Sequence, residues 1–105
     1  MLPRHLTDKQ IARWLPLDQV LRWLPVAKKR GVSKVATSAA GFLGQYRKAG
    51  GDPDKMSEAW HTKRAGFLRR HWAQVHDRDE PLWDDDGMPT RRHLALIMWA
   101  WSPGL

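Results

Sequence analysis

The chain has 105 residues, a length typical of one independently folding domain, and 42% of them are hydrophobic, which argues against disorder. It contains no cysteine, which excludes disulfides, thiolate zinc sites and cysteine nucleophiles. Eighteen Lys and Arg residues against 11 Asp and Glu give a net charge of +7. A positive field of this size attracts polyanions, nucleic acid among them.

The charge is unevenly distributed along the chain. Residues 77–86 hold six acidic residues and one Arg, a net charge of −5, so the remainder carries +12. The longest apolar run, Leu94 to Trp101, is far shorter than the ~20 residues of a membrane helix. The first ten residues also lack the pattern of a signal peptide. We therefore expect a cytoplasmic protein without membrane contact.

A nine-residue repeat lies near the start of the chain. Residues 10–17 and 19–26 share the pattern Gln-[Ile/Val]-x-Arg-Trp-Leu-Pro-[Leu/Val]. Because the residue before a proline avoids helical geometry, each copy is predicted to be a short helix that its proline stops. Thr7 and Gln10 form a capping box for the first helix, and Asp18 is a candidate cap for the second. The repeat forms either a paired Arg-Trp recognition surface or two helices that pack Trp and Leu inward; we favour packing.

The hydrophobic periodicity predicts an all-α fold. We expect a compact bundle of about five helices, at approximately 7–15, 18–30, 34–49, 57–76 and 90–101, with an acidic loop at 77–87. One domain would cover 1–105, with 1–32 as an N-terminal helical pair and 33–105 as the core helices. Ser57 and Thr90 are candidate N-caps, and Gly31 a candidate C-terminal cap.

Two helices carry features of special interest. The last is apolar nearly all round, which predicts the central core helix. The third contains Gly41 and Gly44, each of which weakens a helix by ~1 kcal/mol relative to Ala. Three residues apart on one face, these glycines would allow a neighbouring helix to approach closely.

Arg64 and His71 fall in the middle of the apolar face of the fourth helix. Two interpretations compete. In the first, Arg64 reaches a helix C-terminus or a carboxylate of the acidic loop, and His71 is a satisfied core histidine. In the second, both side chains line a pocket for an anionic group or take part in a buried ion pair.

No catalytic constellation is present. The serines look like caps or turn residues, and no glycine-rich phosphate loop occurs. The acidic loop lacks the spacing of a calcium-binding loop, so loop acids that offset a basic body are the simpler interpretation. We therefore predict a protein that is not an enzyme and has neither a cofactor nor a metal site.

Nucleic acid is the partner that the basic residues favour. Phosphate binding needs Lys and Arg donors on a continuous surface. The candidates are Lys28, Lys29, Arg30, Lys34, Arg47, Lys48, Lys63, Arg69 and Arg70. The break at residues 50–56 is too long for a helix-turn-helix motif, so phosphate-directed, weakly sequence-selective binding is predicted. Tyr46 would add base stacking if exposed, whereas the tryptophans look internal.

Several segments resemble a small uncharacterised domain family of phages and large DNA viruses. The most specific are Arg70-His71-x-Ala73-Gln74 and Leu94-Ala95-Leu96-Ile97-Met98-Trp99-Ala100. Others are Gly41-Phe42-Leu43, Tyr46, Ala49-Gly50-Gly51-Asp52-Pro53, Trp60, Lys63-Arg64 and Arg92. The resemblance covers roughly residues 33–103, leaves out the repeat and the acidic loop, and implies a phage or viral context without an activity.

Two other functions are compatible with this sequence. One is a protein-interaction module, for instance a phage-encoded inhibitor that binds a host protein. The other is an oligomeric structural protein in which some tryptophans lie at subunit contacts. The sequence leaves the oligomeric state open.

Overall fold

The fold is all-α. The computed structural model describes residues 4–103, apart from the side chain of Val35. In order along the chain, the helices are α1 (Asp8–Ile11), α2 (Leu17–Lys29), α3 (Lys34–Thr37), α4 (Phe42–Lys48), α5 (Glu58–Arg78) and α6 (Arg91–Met98). A short 3-10 turn at Pro53–Lys55 precedes α5. The predicted helical bundle is confirmed, and in residues 4–103 no helix is long and apolar enough to cross a membrane.

Helix α6 lies at the centre of the core. Helices α2, α3 and α5 all pack against it, and Leu94, Leu96 and Met98 are completely buried. The next three residues, Trp99, Ala100 and Trp101, are buried as well. The predicted central core helix is therefore confirmed, although it ends at Met98 rather than at residue 101.

Most of the predicted caps are present. Thr7 and Gln10 form a complete capping box, and the hydroxyls of Ser57 and Thr90 accept hydrogen bonds from the amides of Trp60 and His93. Gly31 has a φ of +75° immediately after α2. These local signals define helix ends because they satisfy amides and carbonyls that the helix itself leaves free.

The two copies of the repeat differ in structure. In the first copy the helix ends at Ile11, well before Pro16; in the second, Pro25 lies inside α2. The prediction that each proline stops a helix was therefore wrong for both copies, because α1 ends before Pro16 and α2 continues past Pro25. Because Pro25 is on the exposed side, the carbonyl that loses its amide partner can be solvated. Asp18 is also not a cap, since the N-cap position of α2 is Pro16.

The predicted third helix is two helices. Residues 38–41 separate α3 from α4, and Gly41 is the N-cap residue of α4. A Cβ atom on Gly44 would lie 1.9 Å from the carbonyl oxygen of Ala39. The glycine thus allows the chain's own preceding segment, and not a neighbouring helix, to lie against α4.

Candidate nucleic-acid interface and adjoining cavity

Most of the predicted phosphate-binding side chains have no acidic partner. Among residues 4–103, only two of the nine form ion pairs: Arg30 with Asp84 at 3.3 Å and Arg69 with Asp8 at 2.6 Å. The remaining seven are Lys28, Lys29, Lys34, Arg47, Lys48, Lys63 and Arg70. Their charges are therefore available to an external anion.

Three of these residues line one groove. Lys28 lies in the last turn of α2, Arg47 and Lys48 lie in the last turn of α4, and all three line the same groove. The groove has a volume of about 370 Å³ and an apolar floor that includes Leu24 and Leu43. We call it the basic groove. Cations in a last turn also interact favourably with the negative end of the helix dipole.

A second depression continues from the basic groove. It has a volume of about 320 Å³, shares Lys48 with the basic groove, and is also lined by Lys55 and Trp60. The ammonium of Lys63 lies 4.7 Å from the centroid of the Trp60 ring. Lys55 was missed at the sequence level because it is an isolated cation in a turn, without a basic neighbour.

A larger cavity of about 620 Å³ lies between α3, α5 and α6. We call it the α3–α5–α6 cavity. Its apolar walls are Val32, Ala36, Phe67, Ala95 and Trp99. Its polar lining residues are Ser33, His71, Gln74, Glu80, Arg91 and Arg92. This volume and mixture of surfaces are typical of small-molecule sites.

A column of nearly parallel rings forms one side of this cavity. His71 stacks on Phe67 at 3.9 Å, Phe67 on Trp99 at 4.6 Å, and Trp99 on Phe42 at 4.8 Å between ring centroids. The column extends from the buried core to the half-buried His71. Helical spacing on α5 explains part of it, because Phe67 and His71 are four residues apart.

The protonation of His71 is set by its neighbours. Arg92 donates one hydrogen bond to Nδ1 of His71 and two others, at 2.8 and 3.1 Å, to the carboxylate of Glu80. Because a guanidinium only donates, Nδ1 must accept, and the ring carries its proton on Nε2. Burial, and then the charges of Arg92 and Arg70, lower the pKa of His71 to about 4. His71 is therefore a neutral hydrogen-bond donor at neutral pH.

Arg64 and His71 do not share a site. Arg64 is 2% exposed and does not line the α3–α5–α6 cavity, whereas His71 does. The guanidinium of Arg64 donates to four backbone carbonyls, those of Ile11, Arg13, Trp99 and Ala100. Arg64 thus binds the C-terminal ends of α1 and α6, as the helix-terminus interpretation proposed, and not a carboxylate. Burial lowers the pKa of Arg64 to about 9, which leaves it charged at neutral pH.

Three of the six acidic side chains of the stretch at residues 77–86 bind groups within the protein. Arg4 pairs with Asp77 at 2.8 Å, and Arg92 and Arg78 both pair with Glu80. One carboxylate oxygen of Asp84 accepts hydrogen bonds from the amides of Asp86 and Met88, which closes the loop. No group of three or more His, Asp or Glu side chains in residues 4–103 is arranged to hold a metal ion.

The aromatic residues differ in exposure. Tyr46 is buried, and its hydroxyl donates to the carbonyl of Leu15 at 2.8 Å, so it is not available for base stacking. Among the described residues, Trp83 is the one large apolar side chain that is exposed, with 57% of its surface accessible. It lies within the acidic stretch, directly before Asp84, and borders a depression with Trp72, Val75 and Leu82.

No family model, curated protein or solved structure matches the chain. The resemblance to a phage or viral domain family accordingly stays a prediction from the sequence.

Proposed function

We propose that this protein binds nucleic acid through phosphate contacts along the basic groove and its continuation. The observation that carries the proposal is the convergence of Lys28, Arg47 and Lys48 on one groove. Lys48 also lines the adjoining depression with Lys55. A run of this kind offers successive donors to successive phosphates, the arrangement that backbone binding requires.

The pairing of charges favours the same conclusion. The acidic loop is neutralised in part by Arg4, Arg30 and Arg92, which lie outside the basic groove. The groove cations, by contrast, have no acidic partner within residues 4–103. Binding would therefore replace only water and counterions around these side chains, and counterion release makes that exchange favourable at low salt.

The groove predicts weak sequence selectivity. Its charged groups are lysines and one arginine in the last turns of α2 and α4, where they can reach phosphates but do not form a row along one helix that would read base edges in a major groove. Affinity would then depend on strand geometry and salt more than on sequence.

A salt series tests the proposal. We expect binding of a labelled single-stranded oligonucleotide at low salt, with log K falling linearly against log salt. The slope should correspond to about −0.7 for each contacted phosphate, or about −0.9 on duplex DNA. Absence of binding to single strands, duplex and RNA at low salt would rule out the proposal.

Protein binding through Trp83 is a second candidate function. An exposed tryptophan beside Leu82 and Val75 is the type of residue that dominates protein interfaces. The nearby acidic loop would suit a basic partner, and a second copy of this chain offers a basic groove. Sedimentation at increasing protein concentration tests whether two copies associate through Trp83. Self-association that Trp83→Ala abolishes would support this interaction, and a monomer at all concentrations would exclude it.

A further inference from the structure

We propose that the α3–α5–α6 cavity receives one unstacked base of a single-stranded nucleic acid whose phosphates lie along the basic groove. This inference rests on the proposed function and deepens it, because it assigns a strand type and a second element of the site. Three features of the cavity support it: its aromatic wall, its polar groups, and its position.

The walls fit a flat ring. Phe67 and Trp99 lie inside a column of stacked rings, so their faces are covered and they line the cavity by their edges. His71 ends the column among the described residues and stacks on another ring through one face only. Bases pack on such rings in proteins that bind single strands, because every base has a π-face. The lining also includes the small apolar side chains of Val32, Ala36 and Ala95, around an open volume of about 620 Å³.

Hydrogen-bonding groups without partners line the same space. The indole N–H of Trp99 lacks a partner within residues 4–103, but it is completely buried and does not face this open space. The Gln74 amide and the Nε2–H of His71 belong to lining residues and have no protein partner in the described residues. Ring nitrogens and exocyclic groups of a base match these donors and the amide acceptor.

The rim of the cavity suits the phosphate attached to the base. Arg91 and Arg92 line it, and Arg70 directly precedes the lining residue His71 in α5. Arg92 is occupied by Glu80 and His71, and Arg91 donates to the carbonyl of Gly31 at 3.0 Å. Arg70 has no acidic partner within residues 4–103 and is the cation we expect to contact the phosphate.

The cavity and the basic groove are neighbours. Helix α3 and its flanking residues separate them: Ser33 and Ala36 line the cavity, whereas Thr37 and Ser38 line the groove. On α5, Lys63 and Arg70 are seven residues apart and so lie on one side of the helix. A strand that follows the cations would therefore pass the cavity opening, and a single strand can release a base into it without breaking a base pair.

The test compares two labelled oligonucleotides of equal length and charge: an intact single strand and the same backbone with every base removed. Fluorescence anisotropy measures both affinities. We expect the intact strand to bind about 5- to 100-fold more tightly than the abasic strand.

A variant that fills the cavity tests the same point. Ala95→Phe should reduce the affinity for the intact strand to that for the abasic strand, and the affinity for the abasic strand should not change. Gln74→Leu is a second variant with a smaller expected loss.

Matched controls use exposed positions outside the cavity. Ala59→Phe and Gln19→Leu introduce the same side chains at exposed sites of α5 and α2 and should change neither affinity.

A titration with a mononucleotide shows whether the cavity binds a free nucleotide or a base within a strand. The Trp99 indole proton, assigned with Trp99→Phe, should shift in NMR spectra with the oligonucleotide, and a comparable shift at similar concentrations of mononucleotide would identify free nucleotides as the ligand instead.

Each outcome decides between the two proposals. Equal affinities for intact and abasic strands, unchanged by Ala95→Phe, would overturn base insertion and leave phosphate binding in place. No binding of either strand would remove the proposed function itself. If Ala59→Phe lowers the affinity as much as Ala95→Phe does, the added phenylalanine destabilises the protein generally. The comparison of Gln74→Leu with Gln19→Leu then decides: a lower affinity in Gln74→Leu alone supports base insertion, and equal affinities overturn it.

Discussion

Arg64 donates a hydrogen bond to the carbonyl oxygen of Ala100 at 3.0 Å, and Ala100 has a left-handed backbone with a φ of 59°. The same carbonyl accepts from the amide of Leu15 at 2.7 Å. A left-handed alanine is unfavourable by about 1 kcal/mol or more, so these bonds must hold it. The guanidinium also lies 3.9 Å from the ring centroid of Trp14. Arg64 therefore joins the N-terminal segment to the end of α6.

Replacing Arg64 should destabilise the protein strongly. Arg64→Met removes the guanidinium donor from four carbonyls, three of them in buried hydrogen bonds, and the carbonyl of Ala100 keeps a second donor, the amide of Leu15. We expect a loss of about 3–5 kcal/mol in the free energy of unfolding. Arg64→Lys should lose about 2 kcal/mol or more, because an ammonium cannot reproduce the planar fork. Urea denaturation measures both, with exposed Arg22→Met as a control expected within about 0.5 kcal/mol of the parent. A small effect of Arg64→Met would contradict this role.

Replacing Gly44 and Gly66 by alanine should change the stability of the protein in opposite directions. Gly44→Ala would bring Cβ to 1.9 Å from a backbone oxygen, so the segment at residues 38–41 must move. We expect a loss of about 2 kcal/mol or more. In Gly66→Ala the new Cβ contacts only the flexible end of Arg70 at 3.1 Å, and helix propensity predicts a gain of up to about 1 kcal/mol. Thermal melts of the two variants check this, and equal effects would refute it.

The pH dependence of stability should reflect His71. Its pKa is 6.5 when unfolded and about 4 when folded, so between these values the unfolded chain binds a proton that the folded protein excludes. Stability therefore falls as the pH decreases from 6.5 to 4. For this half-buried group we expect about 1–2 kcal/mol, after allowance for solvent screening.

In His71→Gln the free energy of unfolding should change less between pH 6.5 and 4 than in the parent. Burial also lowers the pKa of His93, which acts in the same direction and remains in the variant. The pKa values of Asp77, Glu80 and Asp84 are lowered too, by partners such as Arg4, Arg92 and backbone amides, and their stabilisation is lost only below the usual carboxylate range. Urea denaturation across the pH range separates the two windows. An unchanged slope between pH 6.5 and 4 in His71→Gln would contradict the assignment.

Local sequence signals predicted the helix ends well. Each cap forms its contacts with residues no more than a few positions away, so its geometry follows from the local sequence. This holds for Thr7 with Gln10, Ser57, Thr90 and Gly31. Burial of Arg64 was predicted from helical spacing for the same reason.

Long-range contacts explain what the sequence did not predict. Where the first repeat copy leaves helical geometry, the carbonyls of Ile11 and Arg13 accept hydrogen bonds from Arg64, more than fifty residues away in sequence. The break before α4 depends on the contact of Gly44 with Ala39. The ring column and the cavity arise only when α5 and α6 pack together, and no periodicity within one helix contains that information.

The most direct test of the central claim is charge reversal in the basic groove. Arg47→Glu with Lys48→Glu should weaken binding of a single-stranded oligonucleotide at least about 10-fold at low salt and reduce the magnitude of the salt slope by about 1.4, for two lost phosphate contacts. Lys9→Glu with Arg22→Glu makes the same change in net charge at exposed positions outside the groove. If the groove binds the strand, the control should retain most of the affinity. Equal losses in the two double variants would show that net charge alone attracts the strand and would contradict a localised groove.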